Sequence, residues 1–502
     1  MVSGVAGSLA GHTTSMRGET DIMIESVEEI PVTEDSYPFE SARRHAKLDE
    51  AGYVEREYYL SGTANVYRTS GDDGTVEVAH ENAPYVNRIV VRRPEDPSRS
   101  SGNVIVEIIN ATSGADLDRM WILTHRQIVR EGDVYVGVTS KPNTLAKLKE
   151  YDERRYGRLE WPNPTPDVPL DFSREDVLGT RGILDQDVSY EPGLFWDMLT
   201  DLAWLLRSSD EKNPLCDCAG EAIILTGWSQ SGAYLYRYLA SFAYRPEVAR
   251  GAQVFDGYLA GGSISYFTAP VNQYETTRDV PRLHRVRRAD QPLVVVQTES
   301  ENARMGTAEN YVEDSDRPGL LYRRYEVTGA THDTAYSLVD YYESDADVRR
   351  INCLWPYAGA REEGNDYPSW IALDAILKGL VRWVRDGVGP RSMDSRIVVG
   401  ADLENVRDAF GNAVGGLRTC LLDYPTGRFR NDETDANGYM LFGYQESFSP
   451  DLLRELYGGL AEYRRLCEAH TAEQVSKGFV CKEDAAELVR IAVDLAERRG
   501  LR

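Results

Sequence analysis

The chain has 502 residues, a formal net charge of −25 and 42% hydrophobic residues. That length holds one large domain with extensions, or two to three smaller ones, and the apolar content is ordinary for a globular protein. The acidity disfavours a nucleic-acid partner, which wants a basic surface, and no run approaches the roughly 20 apolar residues that span a bilayer.

Residues 1–35 are rich in Gly, Ser, Thr and Glu with little periodicity, and read as an arm. Met1–Ala10 lacks the basic start and apolar core of a secretory signal, so a cytoplasmic protein with no membrane partner is expected. Tyr53–Leu60 partly alternates like a half-exposed strand, and Asn87–Pro94 reads as a second. Gly102–Asn110 is a stronger strand running into the turn Ala111-Thr112-Ser113-Gly114. Leu117, Met120, Trp121, Leu123 and Ile128 then mark a helix capped by Asp116. Val134–Val138 is a strand and Phe195–Leu206 an amphipathic helix. The apolar run Ala222–Thr226 leads into Gly227-Trp228-Ser229-Gln230-Ser231-Gly232, and a helical pattern follows from Ala233. Gly251–Phe255, Leu293–Val296 and Arg324–Val327 are further strands, and Trp370–Val388 is a helix near the end of the core. Residues 391–502 form an extension, with a glycine-rich loop at Asp408–Arg418 and helices from about Pro450 to Arg499. Residues 36–390 are thus read as one α/β domain: a mostly parallel central sheet flanked by helices. Ligands of such sheets sit beyond the carboxyl ends of the strands. The stretch 258–288, between two core strands, is where a lid would be inserted.

Strand, tight small-residue turn carrying a serine, then helix is the context of a nucleophile elbow. The turn lifts the Ser229 hydroxyl above the sheet edge. It also aims the Gln230 backbone N–H and the helix N-terminus at the point where an oxyanion develops. The positions two before and two after the serine must be small; Gly227 and Ser231 are, although glycine is the usual residue at the second place. A serine hydroxyl needs a base. Of seven histidines, His332 lies in Thr328-Gly329-Ala330-Thr331-His332-Asp333, directly after the last strand, where chain order places the base. A carboxylate must fix its tautomer. Glu299 and Glu301 both follow the Leu293–Val296 strand, with Glu301 favoured and Glu299 the alternative; Asp256 is a third option. The second oxyanion donor is expected from Ala111 or Thr112. Trp228, Tyr258, Tyr266 and Phe267 are candidates to line an aromatic acyl pocket.

Other signals point to less. Of six cysteines only Cys216 and Cys218 are close, a weak metal pattern, so reduced thiols and no metal are expected. Glu433–Gly438 starts like a calcium loop, but its twelfth position would be Tyr444 instead of the bidentate Glu. Gly257–Gly262 lacks the spacing of a phosphate loop and reads as flexible or closely packed backbone. Arg154–Leu159 reads as a solvated ion-pair cluster.

In these segments the chain resembles the serine α/β-hydrolase superfamily. More narrowly it resembles the bacterial and fungal "alpha/beta hydrolase domain" family. The likeness is carried by Gly52–Glu55 with Ser61–Ala64, Val104–Asn110 with Thr112–Gly114, Asp152 with Arg155–Leu159, the Gly227–Gly232 elbow, Thr298–Glu301, Gly329–His332 and Asp408–Arg418. The resemblance implies an α/β-hydrolase fold with a long C-terminal extension. It implies a cofactor-free hydrolase of carboxylic esters with Ser229 as nucleophile, His332 as base and Glu299 or Glu301 as acid. A glutamate where most of the superfamily has aspartate is a known variant. An acyltransferase using the same groups, a non-catalytic receptor on this fold and a lyase are the rival readings. The expected partner is a small-molecule ester, with a homo-oligomer left open.

Overall fold

In the computed structural model, the described residues are all except 1–21, 43–44, 72–73, 170–188, 216–217, 219, 246–252, 264–268, 276–285, 306–310, 338–340, 342–344, 353–363, 403 and 431–442. The parallel strands are buried on both faces and read as continuous apolar runs, as sheets covered by helices do. They are β4 (Asn103–Ile108), β5 (Val134–Val138), β6 (Ala222–Trp228), β7 (Gly257–Gly261), β8 (Ala289–Thr298) and β10 (Leu320–Val327). β1 (Ile24–Ile30), β2 (Tyr53–Thr69) and β3 (Val76–Pro94) open the sheet antiparallel, and β9 (Ser315–Arg317) closes its far edge. The spatial order is β1-β2-β3-β5-β4-β6-β7-β8-β10-β9. Chain order reverses around β4, and ligands of such sheets sit beyond the carboxyl ends of the strands at that point.

Alternate strand residues serve opposite faces. Val104, Val106 and Ile108 join the cluster under α2 (Phe195–Arg207) and α3 (Gln230–Ser241), with Trp196 and Tyr234. Ile105 joins the cluster under α1 (Arg119–Glu131) and α5 (Ser369–Asp386), with Trp121 and Leu377, while the short α4 (Glu299–Met305) follows β8. Glu107 points to that second face, where its carboxylate accepts the Met120 and Trp121 N–H groups at 2.8 and 2.9 Å and the Tyr135 hydroxyl at 2.9 Å. It satisfies orphan donors of the α1 N-terminus. Asp116, expected as the cap, instead pairs with Arg88 at 3.0 Å and Thr139; α1 starts three residues later.

Four further expectations are corrected. The sheet begins inside the stretch read as an arm, since β1 pairs with β2, Val27 opposite Leu60. The strand expected at Gly251–Phe255 is β7, at Gly257–Gly261, in the glycine-rich stretch read as loop or close-packed backbone. Close approach demands those glycines: a Cβ at Gly257 would stand 2.6 Å from Val384 of α5, and one at Gly261 2.4 Å from the Trp228 ring. Asp256 therefore lies before β7, at the opposite rim. There it accepts the Ile223 N–H and an Arg207 N–H at 2.6 Å each, far from any role as acid. The basic stretch after Asp152 is partly interior, with Arg155 buried against Glu57 at 2.6 Å.

The extension shares the core. Leu417, Leu421 and Leu422, with Leu453, Tyr463 and Val489, belong to the same buried cluster as Ile105 and Val294. They come from α6 (Cys420–Asp423), α7 (Pro450–Tyr457), α8 (Leu460–Lys477), α9 (Ala485–Arg498) and the segment before α6, beside the pair β11 (Gly427–Arg430) and β12 (Tyr444–Ser447). Among the described residues no helix is long and apolar enough to cross a membrane, and no group of three or more His, Cys, Asp or Glu could hold a metal. Cys218, Cys420, Cys467 and Cys481 are free and buried. Cys216, Cys353 and most of the Glu433 turn lie outside the described residues.

Candidate active site

Ser229 joins β6 to α3 with φ 62° and ψ −122°. A non-glycine residue held there costs about 1–3 kcal/mol, so its surroundings must over-determine it. They do. The Ser229 N–H donates to Gly261 O at 2.9 Å, and the Asn110 side-chain amide donates to Trp228 O at 3.0 Å. Ser231, which replaces the usual glycine, donates its hydroxyl to Ile109 O at 3.2 Å, tying the elbow to the end of β4. The tight contacts fall on its neighbours: a Cβ at Gly227 would lie 2.7 Å from Ser231 O, and one at Gly232 2.8 Å from Ser263 Cβ.

Behind this junction Ser140 donates to the same Ile109 carbonyl at 2.6 Å and accepts from Lys141 Nζ at 2.9 Å. The ammonium lies 4.1 Å from the Tyr234 ring centre. Burial pushes Lys141 down from 10.5 to about 7, with the Asp116 carboxylate acting in the opposite direction. Between those two values the unfolded chain holds the extra proton, so stability rises with pH. The urea midpoint of the wild type is expected to climb relative to Lys141→Met from pH 7 to about 10. Below about pH 7 the two should run parallel.

His332 and Glu301 meet at the carboxyl ends of β10 and β8. His332 Nδ1 lies 2.6 Å from Glu301 Oε1, with side chains 5% and 0% exposed. The other Glu301 oxygen accepts the Thr298 N–H at 2.5 Å and its hydroxyl at 2.9 Å, which fixes the carboxylate plane. Ser300 Oγ accepts the His332 N–H at 2.9 Å. Arg119, the first residue of α1, donates to His332 O at 3.4 Å and pairs with Asp333. A carboxylate at Nδ1 leaves Nε2 as the ring nitrogen that can accept a proton. The imidazole reaches the elbow: its ring centre is 5.5 Å from that of Trp228, the residue before Ser229. Gly262, at φ 57°, lets the two rings meet, because a Cβ there would stand 2.6 Å from the indole and 2.9 Å from His332 Cε1.

Glu299 goes elsewhere. Its carboxylate accepts the Gly329 N–H at 2.7 Å and pairs with Arg407 of the extension. Of the two expected second donors, the Thr112 N–H already donates to Asn110 Oδ1 at 2.9 Å, leaving Ala111 as the candidate. Of the four residues expected to line an aromatic pocket, Tyr258 and Trp228 are among those described. Tyr258 is buried in β7 opposite Leu225 and Leu293, its ring 6.0 Å from that of Phe255, within the core. Trp228 is 1% exposed and packs on His332. Tyr266 and Phe267, with much of the 258–288 stretch, lie outside the described residues. Sequence reading named Gln230 for its backbone N–H and Trp228 for its ring, and gave no role to the polar atoms of their buried side chains. Their Oε1, Nε2 and Nε1 atoms have no hydrogen-bond partner among the described residues and flank Ser229 in the chain.

Comparison with solved structures gives low-identity likenesses. Esterase Est22 is 12% identical, with 63% of this chain and 82% of that one covered and a TM-score of 0.31. Acetyl xylan esterase 1 from Thermoanaerobacterium sp. JW/SL YS485 is 10% identical, with 60% and 80% covered and a TM-score of 0.28. Carboxylesterase Cest-2923 from Lactobacillus plantarum WCFS1 is 14% identical, with 46% and 70% covered and a TM-score of 0.26. Comparison with curated proteins gives no match. The family model described as alpha/beta hydrolase domain matches residues 26–490, from β1 into the last helix, and the chain belongs to that family.

Proposed function

We propose that the protein is a serine hydrolase cleaving a carboxylic ester through an acyl-enzyme on Ser229. The observation that carries this reading is the Glu301–His332 contact of 2.6 Å beside a serine held at φ 62° after a parallel strand. His332 Nε2 takes the Ser229 proton as Oγ attacks the acyl carbon. Glu301 stabilises the imidazolium that forms. The Gln230 N–H and the Ala111 N–H stabilise the oxyanion. The imidazolium then protonates the departing alkoxide, and water, deprotonated by His332, releases the acid. The coarse reading, a hydrolase, is supported by family membership; the ester, the acyl-enzyme and the residue roles are supported by the site chemistry alone.

The test is a fluorophosphonate probe with peptide mapping, beside a panel of p-nitrophenyl esters. Labelling of Ser229 with turnover is the expected result. A folded protein that is neither labelled nor active removes the nucleophile and brings the receptor reading forward. Buried amides and indole N–H groups are nearly always satisfied, so acyl groups carrying a hydroxyl or oxo group are expected to outrun alkyl ones of equal length. Added alcohols or amines in the same assay separate hydrolysis from acyl transfer.

A further inference from the structure

We propose that the loops around the oxyanion site form a subsite for an uncharged, hydroxyl-rich group of the ester. The side-chain amide of Gln230 is its specificity-determining group, with Thr112, Ser113 and Asn143 as its further contacts. The inference rests on the reading of Ser229 as nucleophile and extends it to the class of substrate.

Five buried side-chain atoms carry it: Thr112 Oγ1, Ser113 Oγ, Asn143 Oδ1 and both polar atoms of the Gln230 amide, none with a hydrogen-bond partner among the described residues. Gln230 as a whole is 6% exposed. A buried polar atom left unpaired is costly, and folded proteins rarely leave one so. The four residues follow β4, β5 and β6, and the backbone there is tied together. Ala111 to Gly114 is a turn closed by the Gly114 N–H on Ala111 O at 3.0 Å, with Thr112 and Ser113 at its central positions and Gly114 at φ 81°. The same Ala111 carbonyl accepts from Asn143 Nδ2 at 3.2 Å, which orients that amide and leaves Oδ1 as its free end. Asn110 joins the turn to the elbow: its Oδ1 accepts the Thr112 N–H at 2.9 Å and its Nδ2 donates to Trp228 O at 3.0 Å. Ser231, next to Gln230, donates to Ile109 O at 3.2 Å. The unpartnered atoms thus belong to the two residues after Ala111, to the residue bonded to its carbonyl, and to Gln230, which bears the other oxyanion donor. A group that fills them sits beside the reacting carbonyl.

The chemistry of these atoms selects the group. Gln230 Nε2 only donates, Gln230 Oε1 and Asn143 Oδ1 only accept, and the hydroxyls of Thr112 and Ser113 do either. A carboxylate or phosphate only accepts and leaves Gln230 Oε1 and Asn143 Oδ1 without a donor. An ammonium only donates and leaves Gln230 Nε2 unfilled. Either ion would also meet no counter-charge among these side chains. An oxo group accepts only, and an alkyl group does neither. Hydroxyl groups do both, and more than one is needed to reach atoms on separate loops. Hydroxyls on the acyl half and on the alcohol half share this chemistry, and the experiment separates the two.

Hydrolysis is followed by pH-stat titration in two matched sets. In one the acyl half varies: methyl propanoate, methyl pyruvate and methyl glycerate. In the other the alcohol half varies: propyl acetate and glyceryl monoacetate. Each rate is divided by that of alkaline hydrolysis, which removes intrinsic reactivity. In the set that matches the subsite, the hydroxylated ester is expected to exceed its alkyl counterpart in kcat/KM by about 100-fold, with methyl pyruvate between if the acyl half is the one recognised. Gln230→Met, which keeps the backbone N–H, is expected to cut that preference by about 10-fold or more, and Thr112→Val and Ser113→Ala by about 3- to 10-fold each. The preference is a ratio within one variant, so a loss shared by both esters does not enter it. Should Gln230→Met fail to fold by circular dichroism, the two hydroxyl variants decide. Protection against fluorophosphonate labelling gives the same comparison without turnover. A labelled wild type that shows no preference in either set, by turnover or by protection, overturns the proposal and leaves these atoms to ordered water. A preference that all three variants keep overturns it too. A wild type that the probe does not label removes the Ser229 reading, and the subsite falls with it.

Discussion

Ser229→Ala is expected to lower kcat/KM for any ester the wild type turns over by about 10⁴- to 10⁶-fold, and to abolish fluorophosphonate labelling. The residue left beyond that factor is what binding and the oxyanion donors supply without a nucleophile. A second substitution at the same position separates chemistry from structure. Alanine keeps a Cβ at φ 62° and so keeps the strain, whereas glycine removes it. Ser229→Gly is expected to be as inactive as alanine and more stable by about 1–2 kcal/mol, read as a higher urea midpoint. Equal midpoints for the two variants would count against a strained elbow. Turnover that survives in both would remove Ser229 as nucleophile.

Glu301→Gln is expected to cost about 10³- to 10⁴-fold in kcat with a small change in KM. The carboxylate accepts from His332 Nδ1 at one oxygen and from both Thr298 donors at the other. An amide has one acceptor oxygen. If that oxygen stays with Thr298, the NH₂ group faces Nδ1 and stabilises the wrong tautomer; if it turns to the histidine, two buried donors at Thr298 lose their partner. Glu299→Gln is expected to cost far less, about 10- to 100-fold, because its contacts run to Gly329 and Arg407. The measurement is kcat and KM for the two variants on one ester. Equal losses would contradict the different placement of the two carboxylates, and a larger loss in Glu299→Gln would reverse their roles.

The contrast between these two glutamates shows where reading the sequence runs out. They stand two residues apart after the same strand and carry the same chemistry. What separates them is Arg407, more than a hundred residues further on, and no local pattern reports a contact of that range. The elbow is the opposite case. An apolar run, a small-residue turn and a helical period are all local, and β6, Ser229 and α3 lie where those signals place them. β7 was displaced for a physical reason. Its glycines weaken the strand signal, yet they are what lets α5 and the Trp228 ring approach. Tyr258 followed from that displacement: taken for a residue after a strand, it lies inside one and belongs to the core. The extension carried no readable local signal because its contacts with the core, Arg407 with Glu299 and Leu417 with the end of β10, join residues far apart in the chain.

The place of the extension in the core also bears on when the fold is completed during synthesis. Leu417, which docks on the end of β10, is added 85 residues after His332. At about 5–20 residues per second, synthesis takes roughly 4–17 s to cover that distance. Throughout that interval a growing chain already holds Ser229, His332, Glu299 and Glu301, but not the segment that pairs with the end of β10. The core is then completed late in translation, and an unfinished chain carries these four residues on a sheet that still lacks the apolar cover of the extension.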